Sequence, residues 1–123
     1  MELKGKKILI VDDEQRIRDL LTRFFVELGF IVRWASSAQE ATNIMIREDI
    51  DLVLLDIKMA QVDGKVMFEV IQEYNPSLKV IVVSVFPIDK QKQLIPAALD
   101  YYDKSQGLWQ LLQKVNLALV NQN

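Results

Sequence analysis

The sequence predicts an α/β fold: an open, doubly wound sheet of five parallel strands with helices on both faces. Two observations carry that prediction. Five apolar strand-like runs alternate with helix-like patterns, an order that implies parallel strands joined by right-handed crossovers. The third run, Leu52-Val53-Leu54-Leu55, is wholly apolar between acids, as suits a strand covered on both faces. A third observation points to function. The runs end in polar residues, namely Asp12 and Asp13, then Asp56, Ser84 and Lys104, and in such sheets ligands bind outside the carboxyl ends of the strands.

Each element has its own justification. "KKILIVDD" reads as a strand ending at Val11. Ile17, Leu20, Leu21, Phe24, Phe25 and Leu28 then recur at helical spacing, which predicts one apolar face on a helix ended by Gly29. "FIVRWA" is a second, shorter strand, and Ser37 with Glu40 forms a capping box opening a helix on Ala38, Ala41, Ile44 and Met45. After the third strand, Gly64 precedes a helix with Met67, Val70, Ile71 and Tyr74 on one face, closed by Asn75-Pro76. "KVIVVSV" is the fourth strand and "DYYD" a short fifth. The last helix carries Leu108, Leu111, Leu112, Val115 and Leu119. Only the segment from Pro87 to Pro96 fits poorly, because Ile88, Leu94 and Ile95 are its sole apolar anchors. A helix there is expected to be short and mobile.

Composition bounds the chemistry. The 123 residues, 50% hydrophobic and 26% charged, suit one globular domain over 1–123, able to bury roughly two-thirds of its unfolded surface. A net charge of −2 gives no reason to expect direct nucleic-acid binding. No apolar run approaches the ~20 residues of a membrane span, and the expected location is cytoplasmic. Histidine and cysteine are absent, which excludes His-based triads, thiolate chemistry and His-ligated metals. The four glycines are scattered, which excludes glycine-rich phosphate cradles. Carboxylates, hydroxyls and amines must do the work.

Asp56 is the pointed case, because an ionised carboxylate beside a buried strand is costly unless paired. It could be a solvated strand end or a turn cap. Three carboxylates on one sheet edge repel one another, and a hard cation such as Mg²⁺ removes the conflict, since oxygen-only ligands favour it. A carboxylate beside such a cation and a Lys ammonium is poised to attack phosphorus and form an aspartyl phosphate.

From Lys7 to about Val120 the chain resembles the receiver domains of two-component response regulators. The resemblance rests on "ILIVDDE", "DLVLLDIKMAQVDG", "VIVVSV" and "DYYDKS", in order and at receiver spacing. It implies the strand order 2-1-3-4-5 of a flavodoxin-like three-layer sandwich; the general rule for such folds names a member of this family as its example. It implies that Asp56 is the phosphoacceptor, with phosphate supplied by a histidine kinase or phosphotransfer protein, and that the domain is a phosphoacceptor rather than an enzyme. Asp13 and Asp56 would ligate Mg²⁺ with the backbone carbonyl of Lys58, and Asp12 would act chiefly through a water. Ser84 matches the hydroxyl, and Lys104 the ammonium, that meet the phosphoryl group. Tyr101 matches an aromatic that reorients on activation. The bland alternatives are helix capping for Asp12 and Asp13, a backbone-bonded strand end for Ser84, and plain packing for Tyr101. An effector domain or a homodimer would receive the output. Kinase docking in this family directs attention to the surface around Gln15 and Arg18.

The chain departs from the family pattern at several positions. Ala60 and Ser105 stand where receivers usually have proline, Val85 stands where they have Ala or Gly, and the segment from Ser84 to Tyr101 is shorter than usual. A cis bond before serine costs about 2.5–4 kcal/mol, so the Lys104–Ser105 bond is expected to be trans. Val85 and the weak fourth helix raise a second function, a receiver-shaped binding module that signals without phosphate. A third, an Asp-nucleophile phosphatase of the haloacid dehalogenase kind, needs a general-acid Asp where this chain has Lys58.

Overall fold

Residues 3–59 and 63–120 are described by a computed structural model of the chain. Ala60 and the end of the C-terminal tail, Asn121 to Asn123, lie outside the described residues. The elements follow in the order β1 (Lys7–Val11), α1 (Gln15–Glu27), β2 (Ile31–Ala35), α2 (Ala38–Arg47), β3 (Leu52–Leu55), α3 (Gly64–Tyr74), β4 (Lys79–Ser84), α4 (Ile88–Leu94), β5 (Asp100–Asp103) and α5 (Leu108–Val120). The five strands form one sheet in the order β2-β1-β3-β4-β5, and each neighbouring pair is parallel.

The period-2 alternation of side chains divides the interior into two cores. Leu9, Val11, Val53, Leu55, Val80 and Val82 pack against α2 and α3 through Ala41, Met45, Met67 and Ile71. Ile8, Ile10, Leu52, Leu54, Ile81 and Val83 pack against α1 and α5 through Leu21, Phe25, Leu111 and Val115. All four residues of β3 are fully buried, as its unbroken apolar run requires.

The helix ends obey local rules. Gly29, at φ 98°, closes α1 in a Schellman turn, with Gly29 N–H donating to Val26 C=O and Phe30 N–H to Phe25 C=O. The Ser37 side chain accepts from Glu40 N–H. Glu40 returns its carboxylate to Ser36 rather than Ser37, accepting from both the amide and the hydroxyl of Ser36.

Two buried faces differ from the sequence reading. On α1 the buried stripe runs through Arg18, Leu21 and Phe25, while Leu20 is 50% exposed and Leu28, past the helix end, 38% exposed. On α3 the stripe is Gly64, Met67, Phe68 and Ile71, and Val70 and Tyr74 are exposed. Both stripes on α3 have helical spacing, and a backbone contact selects between them. A Cβ on Gly64 would stand 2.4 Å from Asp56 C=O and 2.5 Å from Ile57 Cα, so Gly64 must face that turn, which brings Phe68 and Ile71 into line behind it. Gly64 N–H also donates to Ile57 C=O.

The fourth helix is short, as expected, at seven residues. The Lys104–Ser105 bond is trans, since no cis peptide occurs among the described residues. Asp103 shapes the turn after it: its Oδ1 accepts from Ser105 N–H and its C=O from Gln106 N–H.

Gly64→Ala tests the backbone contact under the β3–α3 turn. The added methyl has no flexible neighbour to displace, so the variant should lose about 1–3 kcal/mol or more in urea unfolding.

Candidate functional site

The carboxyl ends of the strands bring the predicted carboxylates together. Asp12 follows β1, and its N–H donates to Ala35 C=O. Asp56 follows β3, and its N–H donates to Val11 C=O. The sheet ladder therefore sets these two residues side by side. One carboxylate oxygen from each of Asp12, Asp13 and Asp56 lies within 4.8 Å of the others. Asp12 and Asp56 are buried and Asp13 is exposed.

Lys104 enters the cluster from the end of β5. Its Nζ is 2.9 Å from Asp12 Oδ2 and 3.6 Å from Asp56 Oδ2. The second oxygen of Asp12 accepts from Glu14 N–H at 2.9 Å, so this residue caps a turn and pairs an ammonium at once. Lys58 N–H approaches Asp56 Oδ1 at 3.4 Å. Desolvation pushes the Asp56 carboxyl up to about 6, the Lys104 ammonium opposes that rise, and the neighbouring Asp12 charge adds to it. Asp12 and Asp56 share the Lys104 ammonium, and Asp13 stands beside them. Oxygen donors in this number and closeness fit a hard divalent cation.

Ser84 is fully buried at the end of β4. Its Oγ accepts from Phe86 N–H at 3.1 Å and its C=O from Lys104 N–H at 2.8 Å, so the chain at the end of β4 is tied to the chain just after β5. Val85 is 65% exposed, which places its bulk toward solvent. Tyr101 is buried, and its hydroxyl donates to Ile95 C=O at 2.6 Å, fastening β5 to the residue that ends α4.

Two neighbours of the site were not read from the sequence in these places. Arg18 is not on the surface near Gln15: it is only 8% exposed, donates from Nη1 to Asp12 C=O at 3.0 Å, and stacks its guanidinium 4.5 Å from the Trp34 ring centroid. Its i+3 position before Leu21 was the available signal, masked by its charge. Gln91 is 0% exposed and bonds backbone carbonyls of both the β4–α4 loop and β5. It supplies the anchor that the apolar count of this segment lacks.

The chain belongs to the response regulator receiver domain family, which it matches over residues 8–116. Sporulation initiation phosphotransferase F of Bacillus subtilis (strain 168) is 32% identical over 106 residues, covering 83% of this chain and 84% of that protein. The transcriptional regulatory protein GlrR of Escherichia coli (strain K12) is 33% identical over 84 residues, 68% of this chain, and the match spans 19% of that protein's length. Among solved structures, response regulator protein TrrA of Thermotoga maritima, in complex with Mg²⁺-BeF, is 32% identical with a TM-score of 0.85, covering 93% of this chain and 99% of that one. A two-component response regulator from Clostridium difficile, 24% identical and covering 97% of this chain and 99% of that one, shares the fold with a TM-score of 0.90. Among the described residues, no helix is long and apolar enough to cross a membrane.

The raised Asp56 pKa has a definite sign in stability. In the unfolded chain this carboxyl titrates near 3.8, and in the folded chain near 6. Between those values the folded state holds the extra proton, so its contribution to stability falls as pH rises through the window and the penalty is complete above about 6. In metal-free buffer at pH 7.5, Asp56→Asn should exceed the wild type in stability by about 1–3 kcal/mol. The difference should shrink toward zero by pH 4 in urea titrations of both proteins.

Proposed function

We propose that this chain is a phosphoacceptor receiver domain that takes a phosphoryl group onto Asp56 from the phosphohistidine of a partner histidine kinase or phosphotransfer protein. One observation carries the proposal: a buried carboxylate of raised pKa stands at a strand end, within 4.8 Å of two others and 3.6 Å from a Lys ammonium. A residue serving only as a turn cap needs neither the burial nor the ammonium.

The residues divide the reaction among them. At neutral pH Asp56 is mostly ionised, and an oxygen of its carboxylate attacks phosphorus. The P–N bond to the donor imidazole breaks, and the imidazole nitrogen leaves with the bonding pair and takes up a proton. Lys104 Nζ and Ser84 Oγ are the donors available to the phosphoryl oxygens as they arrive. The oxygen-only donor set fits Mg²⁺, which Asp13, Asp56 and the Lys58 carbonyl would hold directly and Asp12 through a water. When bound, the cation supplies positive charge to the carboxylates and to the transferring group. The relative TrrA carries Mg²⁺ in its complex, which supports that choice of ion.

The phosphate-independent binding module loses its two supports. Val85 lies at the surface, and α4 is anchored through Gln91. The reading takes in a single receiver domain with a core of about 7–120, in agreement with the family match over residues 8–116, a cytoplasmic setting, and an attached effector or a second copy of the chain that reads its state.

Phosphate-affinity electrophoresis after incubation with acetyl phosphate and Mg²⁺ tests this function. The wild type should shift and Asp56→Asn should not, whereas an unshifted wild type would sink the proposal. Asp13→Asn should weaken Mg²⁺ binding by more than about 1 kcal/mol, because a charge-assisted ligand is lost; isothermal titration reads it directly.

A further inference from the structure

We infer that Gln91 is a positioning residue for phosphoryl transfer: its side-chain amide holds Ser84 and Lys104 in register with each other from beneath. The inference rests on the phosphoacceptor reading of the site and adds a residue that lies outside it.

The amide closes a ring of hydrogen bonds. Gln91 Nε2 donates to Phe86 C=O at 2.8 Å and to Tyr102 C=O at 3.0 Å, with Ser84 C=O at 3.5 Å. Phe86 in turn donates its N–H to Ser84 Oγ. Tyr102 lies two residues before Lys104, whose N–H donates to Ser84 C=O. A single side chain on α4 thus fixes the loop that orients the Ser84 hydroxyl and the strand that delivers the Lys104 ammonium. An amide has two N–H hydrogens, and the two short bonds use both.

Simple anchoring of α4 does not account for this residue. Gln91 is 0% exposed, and its Oε1 is buried without a hydrogen-bond partner, a state that costs stability. An apolar side chain of the same length would fill the space without that cost. What an apolar side chain cannot do is hold two carbonyls of different segments at one point. Proton-transfer and phosphoryl-transfer geometries are sensitive to displacements of this kind even when the displaced group never touches substrate.

Gln91→Met keeps length and volume while removing the donor, so it separates packing from hydrogen bonding. Phosphorylation of Asp56 by acetyl phosphate at saturating Mg²⁺, followed in time, should slow at least fivefold. The Mg²⁺ dissociation constant should stay within twofold, because Asp12, Asp13 and Lys58 sit on other loops. In the Ser84→Ala background the loss should become smaller, since Gln91 acts in part through that hydroxyl and in part through the strand that delivers Lys104. A purely structural role would lower the urea midpoint and leave the rate of the folded protein unchanged. Equal rates in folded wild type and Gln91→Met overturn the inference, as does a loss that simply multiplies with that of Ser84→Ala. Gln91→Leu, assayed alongside, provides a second donor-free side chain should the methionine variant fold poorly. A wild type that takes no phosphate defeats the reading of the site and this role with it; a phosphorylated wild type matched by Gln91→Met defeats this role alone.

Discussion

Burial of Asp56 at the end of β3 sets a constraint that its surroundings answer one by one. The carboxylate leaves water beside two others, and burial raises its pKa to about 6. Lys104 crosses from β5 to offset part of the charge, but its shorter contact is with Asp12 rather than Asp56. The ammonium is thus held near Asp56 while its closer partner is Asp12. Gly64 belongs to the same answer. It lets α3 start directly against the Asp56 and Ile57 backbone, so the turn carrying the carboxylate is braced from behind.

Much of this was legible in the sequence, for identifiable reasons. The strand order of the sheet followed from resemblance, but the alternation of elements and the burial of β3 followed from pattern alone. The acids could be placed together because a parallel sheet lines up its strand ends, whatever the side chains between them. What escaped was polar and buried. The charge of Arg18 points to the surface, yet an Arg can bury its stem and guanidinium against an aromatic ring and donate a hydrogen bond to a carbonyl. Gln91 is invisible to a pattern of apolar anchors, whose scarcity alone makes α4 look weak. The wrong stripe on α3 has another origin. Two sets of residues shared one spacing, and only a backbone contact distant in sequence separates them.

The departures from the family pattern are absorbed locally. Without proline after Lys104 the chain runs trans, and Asp103 organises the turn through bonds to Ser105 and Gln106. The loss of apolar anchors in α4 is met by two polar fastenings. One is Gln91 at its middle, and the other is the Tyr101 hydroxyl on Ile95. Both reach from or to β5, so a short helix that could not hold itself is held by its neighbour strand.

The alternation that sorts strand side chains into two groups has a mechanical consequence. Among the described residues, the core under α2, α3 and α4 and the core under α1 and α5 share no side chain. The sheet works as a bulkhead between two compartments, each free to repack without disturbing the other. Influence passing from one layer to the other must travel through strand backbone or around the rim where the strands end. That rim is where the three carboxylates and Lys104 sit, so a change of charge there acts at a border that both compartments share.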